Sequence, residues 1–159
     1  MQIQKHEFGS PLEAALYPLL LIVVMWLVFW ADHLFPEVPF YHWGLIPKDP
    51  STLRGIIFMP LLHAKNDIGH IMNNSVPTGI LLAALIYYYR AIAARIFIIS
   101  WLLTGIGLFV FADNTSSYHI GMSGMVYALA AFLFTSGVIR GYRPLQAIAL
   151  FVAFVYGSM

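Results

Sequence analysis

The chain contains no cysteine, which excludes disulfides and thiolate-bound metals and leaves the redox compartment undefined. Charge is scarce as well. Asp, Glu, Lys and Arg make up 9% of the 159 residues, against about 25% in an ordinary soluble domain. A surface that poor in charge faces something other than water. Net charge is +1, so no basic patch points to nucleic acid. No small-residue cleavage site follows the first apolar run, and "MQIQKHEFGS" reads as a short tail before a retained span rather than a signal peptide.

What is present is apolar. Hydrophobic residues reach 60% and aromatics 16%, mean hydropathy is +0.79, and Trp and Tyr favour the headgroup level of a bilayer. Five apolar runs stand out. Ala14–Ala31 contains Pro18, Trp26 and Trp30; a second run ends at Tyr87–Tyr89 before Arg90; Ile96–Ala112 lies between Arg95 and Asp113. A fourth ends at Ile139 before Arg140, and a fifth runs from Leu145 to Met159. The fifth has only 15 residues, where a helical span needs about 20, so it reads as a span cut short. The expectation is an all-α polytopic membrane protein forming one domain over residues 1–159, incomplete at its C-terminus.

Arg90 and Arg95 fall in one short loop, Arg140 and Arg143 in another. Both are assigned to the cytoplasm, which puts the N-terminus inside, and the expected residence is a cell (inner) membrane. The loops 32–67 and 113–122 then lie outside. The longer one spreads Lys48, Arg54 and Lys65 among four acids, and its "FPEVPFYHWGLIPKDP" predicts short helices and turns at the interface.

Two spans carry polar groups that must lie below the surface. From Val76 to Tyr89 is 14 residues, too few to cross about 30 Å at 1.5 Å per residue. The second helix therefore begins near Gly69–Ile71, which draws His70, Asn73, Asn74 and Ser75 inward, with His70 and Asn74 on one face. From Ser123 to Ile139 is 17 residues, about 25 Å of helix, which sinks Ser123 below the outer surface. The loop "DNTSSYHIG" must dip inward with it, as irregular backbone buried in protein or lining a wet cavity. Gly121 and Gly124 allow a sharp turn and close approach, and Gly124 with Ala128 suits tight helix packing. The plain alternative makes the His70 group a helix cap and Ser123 an interhelical hydrogen bonder. Taken together, a hydroxyl and an imidazole–carboxamide pair can meet in one outward-opening cavity, with donors for an oxyanion.

Gly121-Met122-Ser123-Gly124 on the fourth span and His70-Ile71-Met72-Asn73-Asn74 on the second resemble the motifs of the rhomboid family of intramembrane serine proteases. "GLIP" at 44–47, "LRG" at 53–55, "PLLH" at 60–63, "WLLTGIG" at 101–107, His119 and Tyr127 are similar to that family's pattern, from about residue 14 onward. The resemblance implies a rhomboid-like bundle with five of six spans visible. It implies cleavage of transmembrane protein substrates near the outer membrane face, with no cofactor and no metal. Ser123 is then the nucleophile, and His70, Asn74 and the Ser123 N–H bind the oxyanion, while Tyr127 packs against the base. The family's base is a histidine on the sixth span. None of His6, His33, His42, His63, His70 and His119 follows Ser123, so a Ser–His dyad needs a histidine beyond Met159 and residues 1–159 alone are expected to be inactive. His63 stands farther from His70 than the family's spacing and is assigned to the loop.

Other readings remain open on the sequence. His119 or His70 could act as base, or His63, His70 and His119 could bind a metal, though no HExxH helix accompanies them. A rhomboid-like pseudoprotease would bind transmembrane segments without cutting them. A small channel or transporter would use the polar groups to line a path.

Overall fold

The computed structural model describes residues 9–113 and 116–157. The expected tail, with His6, lies outside the described residues apart from its last two positions, as do Asn114, Thr115 and the final two residues of the chain. Among the described residues the architecture is all-helical: α1 (Pro11–Leu34), a one-turn α2 (Gly55–Phe58), α3 (Ile68–Tyr89), α4 (Ala93–Phe111), α5 (Ser123–Ile139) and α6 (Arg143–Gly157). Extended pairing amounts to one antiparallel bridge between Leu45 and His119.

Each helix begins where local chemistry favours it. Ser10 caps α1 by accepting from the Glu13 N–H at 3.1 Å while its own N–H donates to Glu13 Oε2 at 3.3 Å, and Pro11 takes the first helical position. That reciprocal box satisfies two orphan amides. Asp67 caps α3 through the His70 N–H at 3.0 Å, so this helix starts at Ile68, as the length of its apolar part requires. At the far end of α5, Gly141 turns the chain at φ 62°, and Tyr142 N–H closes on the Gly137 carbonyl at 2.8 Å, a left-handed helix end that glycine adopts without strain.

α3 and α5 hold the centre. Ile71, Leu81 and Leu85 from the one, and Met125, Leu129 and Leu133 from the other, are fully buried together with Leu145 of α6 and Met25 of α1. Each such side chain contributes about 1.5–3 kcal/mol by leaving water. α1 runs antiparallel to α3: Gly9 N–H donates to the Tyr87 carbonyl at 2.7 Å at one end, Trp26 Nε1 donates to Ser75 Oγ at 3.1 Å towards the other. Arg90 pairs with Glu13 at 2.9 Å, and the Arg140 guanidinium lies 4.8 Å from the Tyr89 ring centroid. The C-terminal ends of α3 and α5 thus share one basic end of the bundle.

Two helices, α1 with 24 residues and α4 with 19, are long and apolar enough to cross a membrane. α5 and α6 are apolar but shorter, at 17 and 15 residues, and the polar first turns and terminal tyrosines of α3 dilute its apolar character. α4 buries little, leaving Ile98, Leu103 and Phe111 exposed.

The segment 35–67 folds into short helical pieces, three of them 3₁₀ turns at Phe40–Trp43, Pro50–Thr52 and Met59–Leu61. It is clamped against α4, where Trp101 Nε1 donates to the Ile57 carbonyl at 3.2 Å. A Cβ placed on Gly55 would meet the Gly44 carbonyl carbon at 2.5 Å, whereas one on Gly107 meets nothing. Gly55→Ala is expected to lower stability by about 1–3 kcal/mol through overpacking. Gly107→Ala should leave stability unchanged or raise it by up to about 1 kcal/mol, both read by unfolding in detergent.

Candidate active site

α3 presents His70 and Asn74 from one face four residues apart, and Asn74 Nδ2 donates back to the His70 carbonyl at 2.9 Å. Asn74 is fully buried, at 0% exposure. α5 delivers Ser123 as its first residue, where unpaired backbone N–H groups and the helix dipole make the local field positive.

Gly121 joins the two. Its φ of 108° is open to glycine alone at no steric cost, and a Cβ there would stand 2.7 Å from His70 Nε2 and 3.7 Å from Asn74 Nδ2. The backbone before Ser123 therefore lies flat against the α3 polar face. Its N–H is held by the Met59 carbonyl at 2.8 Å, and the Leu45–His119 pair fixes the strand of chain leading to it, with N–H···O distances of 3.1 and 2.7 Å. Behind Ser123, a Cβ on Gly124 would meet Thr104 Cγ2 at 2.3 Å, so α5 approaches α4 closely at this point.

Ser123, His70 and Asn74 line one cavity of about 460 Å³ with Asp67, Gly69, Asn73, Tyr127 and Tyr156. The Tyr156 hydroxyl donates to Asn74 Oδ1 at 3.2 Å and also engages the Ser123 side chain, and its ring meets Tyr127 edge-on at 5.4 Å. A hydroxyl nucleophile, a carboxamide donor, an imidazole and helix N-terminal amides around one space can stabilise a tetrahedral oxyanion. Of the imidazoles in the described residues, His70 lines this cavity; His119 does not. No group of three His, Asp or Glu side chains among the described residues could hold a metal, so His63, His70 and His119 are not assembled into a centre.

Two site residues escape sequence reasoning. Tyr156 is the one hydroxyl in α6 and follows a run of apolar residues, with no spacing that ties it to Asn74. His63 lies in the loop as assigned, yet is 4% exposed there and packs edge-on against His70, ring centroids 5.1 Å apart. Its Nδ1–H donates to the Leu61 carbonyl at 3.3 Å, and its Nε2 has no hydrogen-bond partner among the described residues.

No family model matches the chain, and no solved structure matches it. It is 35% identical over 125 residues to an uncharacterized protein of Mycobacterium bovis, covering 73% of this chain and 49% of that protein. An uncharacterized protein of Mycobacterium tuberculosis matches over the same length at the same identity and coverage. One of Mycobacterium leprae is 32% identical over 117 residues, 69% of this chain and 44% of its own length. The chain thus spans about half the length of the curated relatives it matches.

Burial, reinforced by the neighbouring His70, pushes the His63 imidazole down to about 4, while an unfolded chain protonates it near the ordinary value of about 6.5. Between those values the unfolded state binds more protons, so stability falls as pH falls. By pH 5 the loss attributable to His63 is on the order of 2 kcal/mol at 1.36 kcal/mol per unit. His63→Gln is expected to flatten this part of the pH–melting curve; an unchanged slope would show that His63 is not held neutral.

Proposed function

We propose that this chain is part of a rhomboid-like intramembrane serine protease, its five long helices crossing the membrane as a bundle. The observation that carries the reading is the single cavity shared by Ser123, His70 and Asn74. Helix polarity adds to it. α3 and α5 start at the cavity and end at Arg90 and Arg140, with Arg95 in the first turn of α4 and Arg143 opening α6. Four arginines at one end favour a cytoplasmic side for that end and so an outer-facing cavity, where a transmembrane substrate would present its scissile bond. The short span α5, 17 residues long, suits a bundle whose outer half is hollowed by a wet cavity.

In this reading Ser123 Oγ attacks the scissile carbonyl, and its proton passes to a histidine base from chain beyond Met159. The base returns that proton to the leaving amine, and water then hydrolyses the Ser123 acyl ester. The developing oxyanion is met by the Ser123 N–H, the Asn74 amide and His70. Tyr156, bonded to Asn74 and against Ser123, lines the same cavity.

A second reading has its own support. The described histidines offer Ser123 no general base apart from His70, and Tyr156 already engages its hydroxyl, which is what a binding protein without turnover would show. A fluorophosphonate separates the two. On the full-length protein in detergent, labelling is expected at Ser123, lost in Ser123→Ala and slowed about 10²–10³-fold in Asn74→Ala. A folded wild-type protein that does not label at Ser123 supports the binder and overturns the protease.

A further inference from the structure

His63 is the buried titratable group that the proposed reaction leaves unused. We propose that it is a positioning residue, whose Nε2 accepts a hydrogen bond from His70 Nδ1–H and so holds the His70 Nε2 edge towards the Gly121–Ser123 backbone. This inference rests on the serine-protease reading.

Tautomer chemistry leads there. A carbonyl only accepts, so the 3.3 Å contact to the Leu61 oxygen puts a proton on His63 Nδ1. A neutral ring then has a bare lone pair at Nε2, and that atom is buried and unpartnered among the described residues. A buried acceptor left unmet is costly. Lys65, which lines a second cavity of about 380 Å³ with His63, directs its ammonium to the Asp32 carbonyl at 2.7 Å. His70 is the ring against which His63 packs, centroids 5.1 Å and planes 61° apart; the two nitrogens are not bonded at rest and pair after the rings rotate at about that same separation. Catalytic hydrogen bonds tighten from looser resting geometry when the reacting group arrives.

His70 turns Nε2, not Nδ1, towards Gly121, which leaves Nδ1 for His63. Serving both partners at once takes two N–H groups, the imidazolium form, and a negative oxyanion at Nε2 favours that form. His63 thus acts on the oxyanion through the orientation and protonation of His70, as outer-shell acceptors orient metal-bound histidines.

The test uses full-length protein in detergent, ¹⁵N-labelled at histidine, before and after reaction with a fluorophosphonate. The adduct is expected to show His63 protonated at Nδ1 only, His70 protonated at both nitrogens, and a scalar coupling between His70 Nδ1 and His63 Nε2. His63→Phe, which keeps a flat ring without an acceptor, should slow Ser123 labelling by about 10–100-fold, and His63→Gln, which returns an acceptor near the Nε2 position, should recover most of it. A His63 protonated at Nε2, or equal labelling rates in wild type and His63→Phe, overturns the positioning role while leaving the protease reading intact. Absence of Ser123 labelling in the wild type overturns both.

Discussion

The site depends on one close approach: the backbone at Gly121 lying against the His70–Asn74 face of α3. A buried carboxamide such as Asn74 must be hydrogen-bonded or destabilise the fold by about 1–3 kcal/mol, and the space beside it is too tight for a side chain. The His70 carbonyl and the Tyr156 hydroxyl meet the first demand, and glycine at positive φ meets the second by letting main chain come close to a polar helix face. Everything around it serves that approach. The Met59 carbonyl anchors the Gly121 N–H, and the Leu45–His119 bridge holds the segment that precedes it. The long segment 35–67 is therefore part of the site's scaffold, clamped to α4 by Trp101 and to the Ser123 loop by backbone pairing.

The bundle sorts its polar groups by end. At one end α3 and α5 contribute His70, Asn74 and Ser123; at the other they stop at Arg90 and Arg140, which meet Glu13 and Tyr89. Between the two ends lies a dry core of Leu81, Leu85, Leu129 and Leu133. Such a core fixes the distance between the ends, so the cavity's geometry is set by packing several turns away. The Tyr156 hydroxyl from α6 closes the arrangement by bonding Asn74 across the cavity.

Much of this was legible in the residues. The apolar length of the second run required a helix start near Gly69, and the Asp67 cap places it at Ile68; the fourth run's limits, Ser123 and Ile139, are the limits of α5. A spacing of four set His70 and Asn74 on one face, and two glycines flanking Met122-Ser123 signalled a close approach whose partner no spacing could name. Five apolar runs suggest five spans, the last cut short, yet α1 and α4 are the two that suffice by length and composition, since α3 carries polar residues in its first turns and α5 and α6 have 17 and 15 residues. His63 lies in the loop as expected, but its packing against His70 is not legible, because a spacing along the chain says nothing about distance once the loop turns back. Tyr156 was invisible for a related reason: a contact between α6 and α3 is tertiary, and one hydroxyl leaves no period behind.

The central claim is steric and can be measured as such. A double-mutant cycle between Gly121→Ala and His70→Ala, followed by equilibrium unfolding in detergent, separates the clash with His70 from the backbone strain that Ala suffers at positive φ. Contact between the two residues predicts that His70→Ala relieves part of the damage, with a coupling of about 0.5–3 kcal/mol. Additivity within about 0.3 kcal/mol would mean that the Ser123 loop and the His70–Asn74 face do not meet.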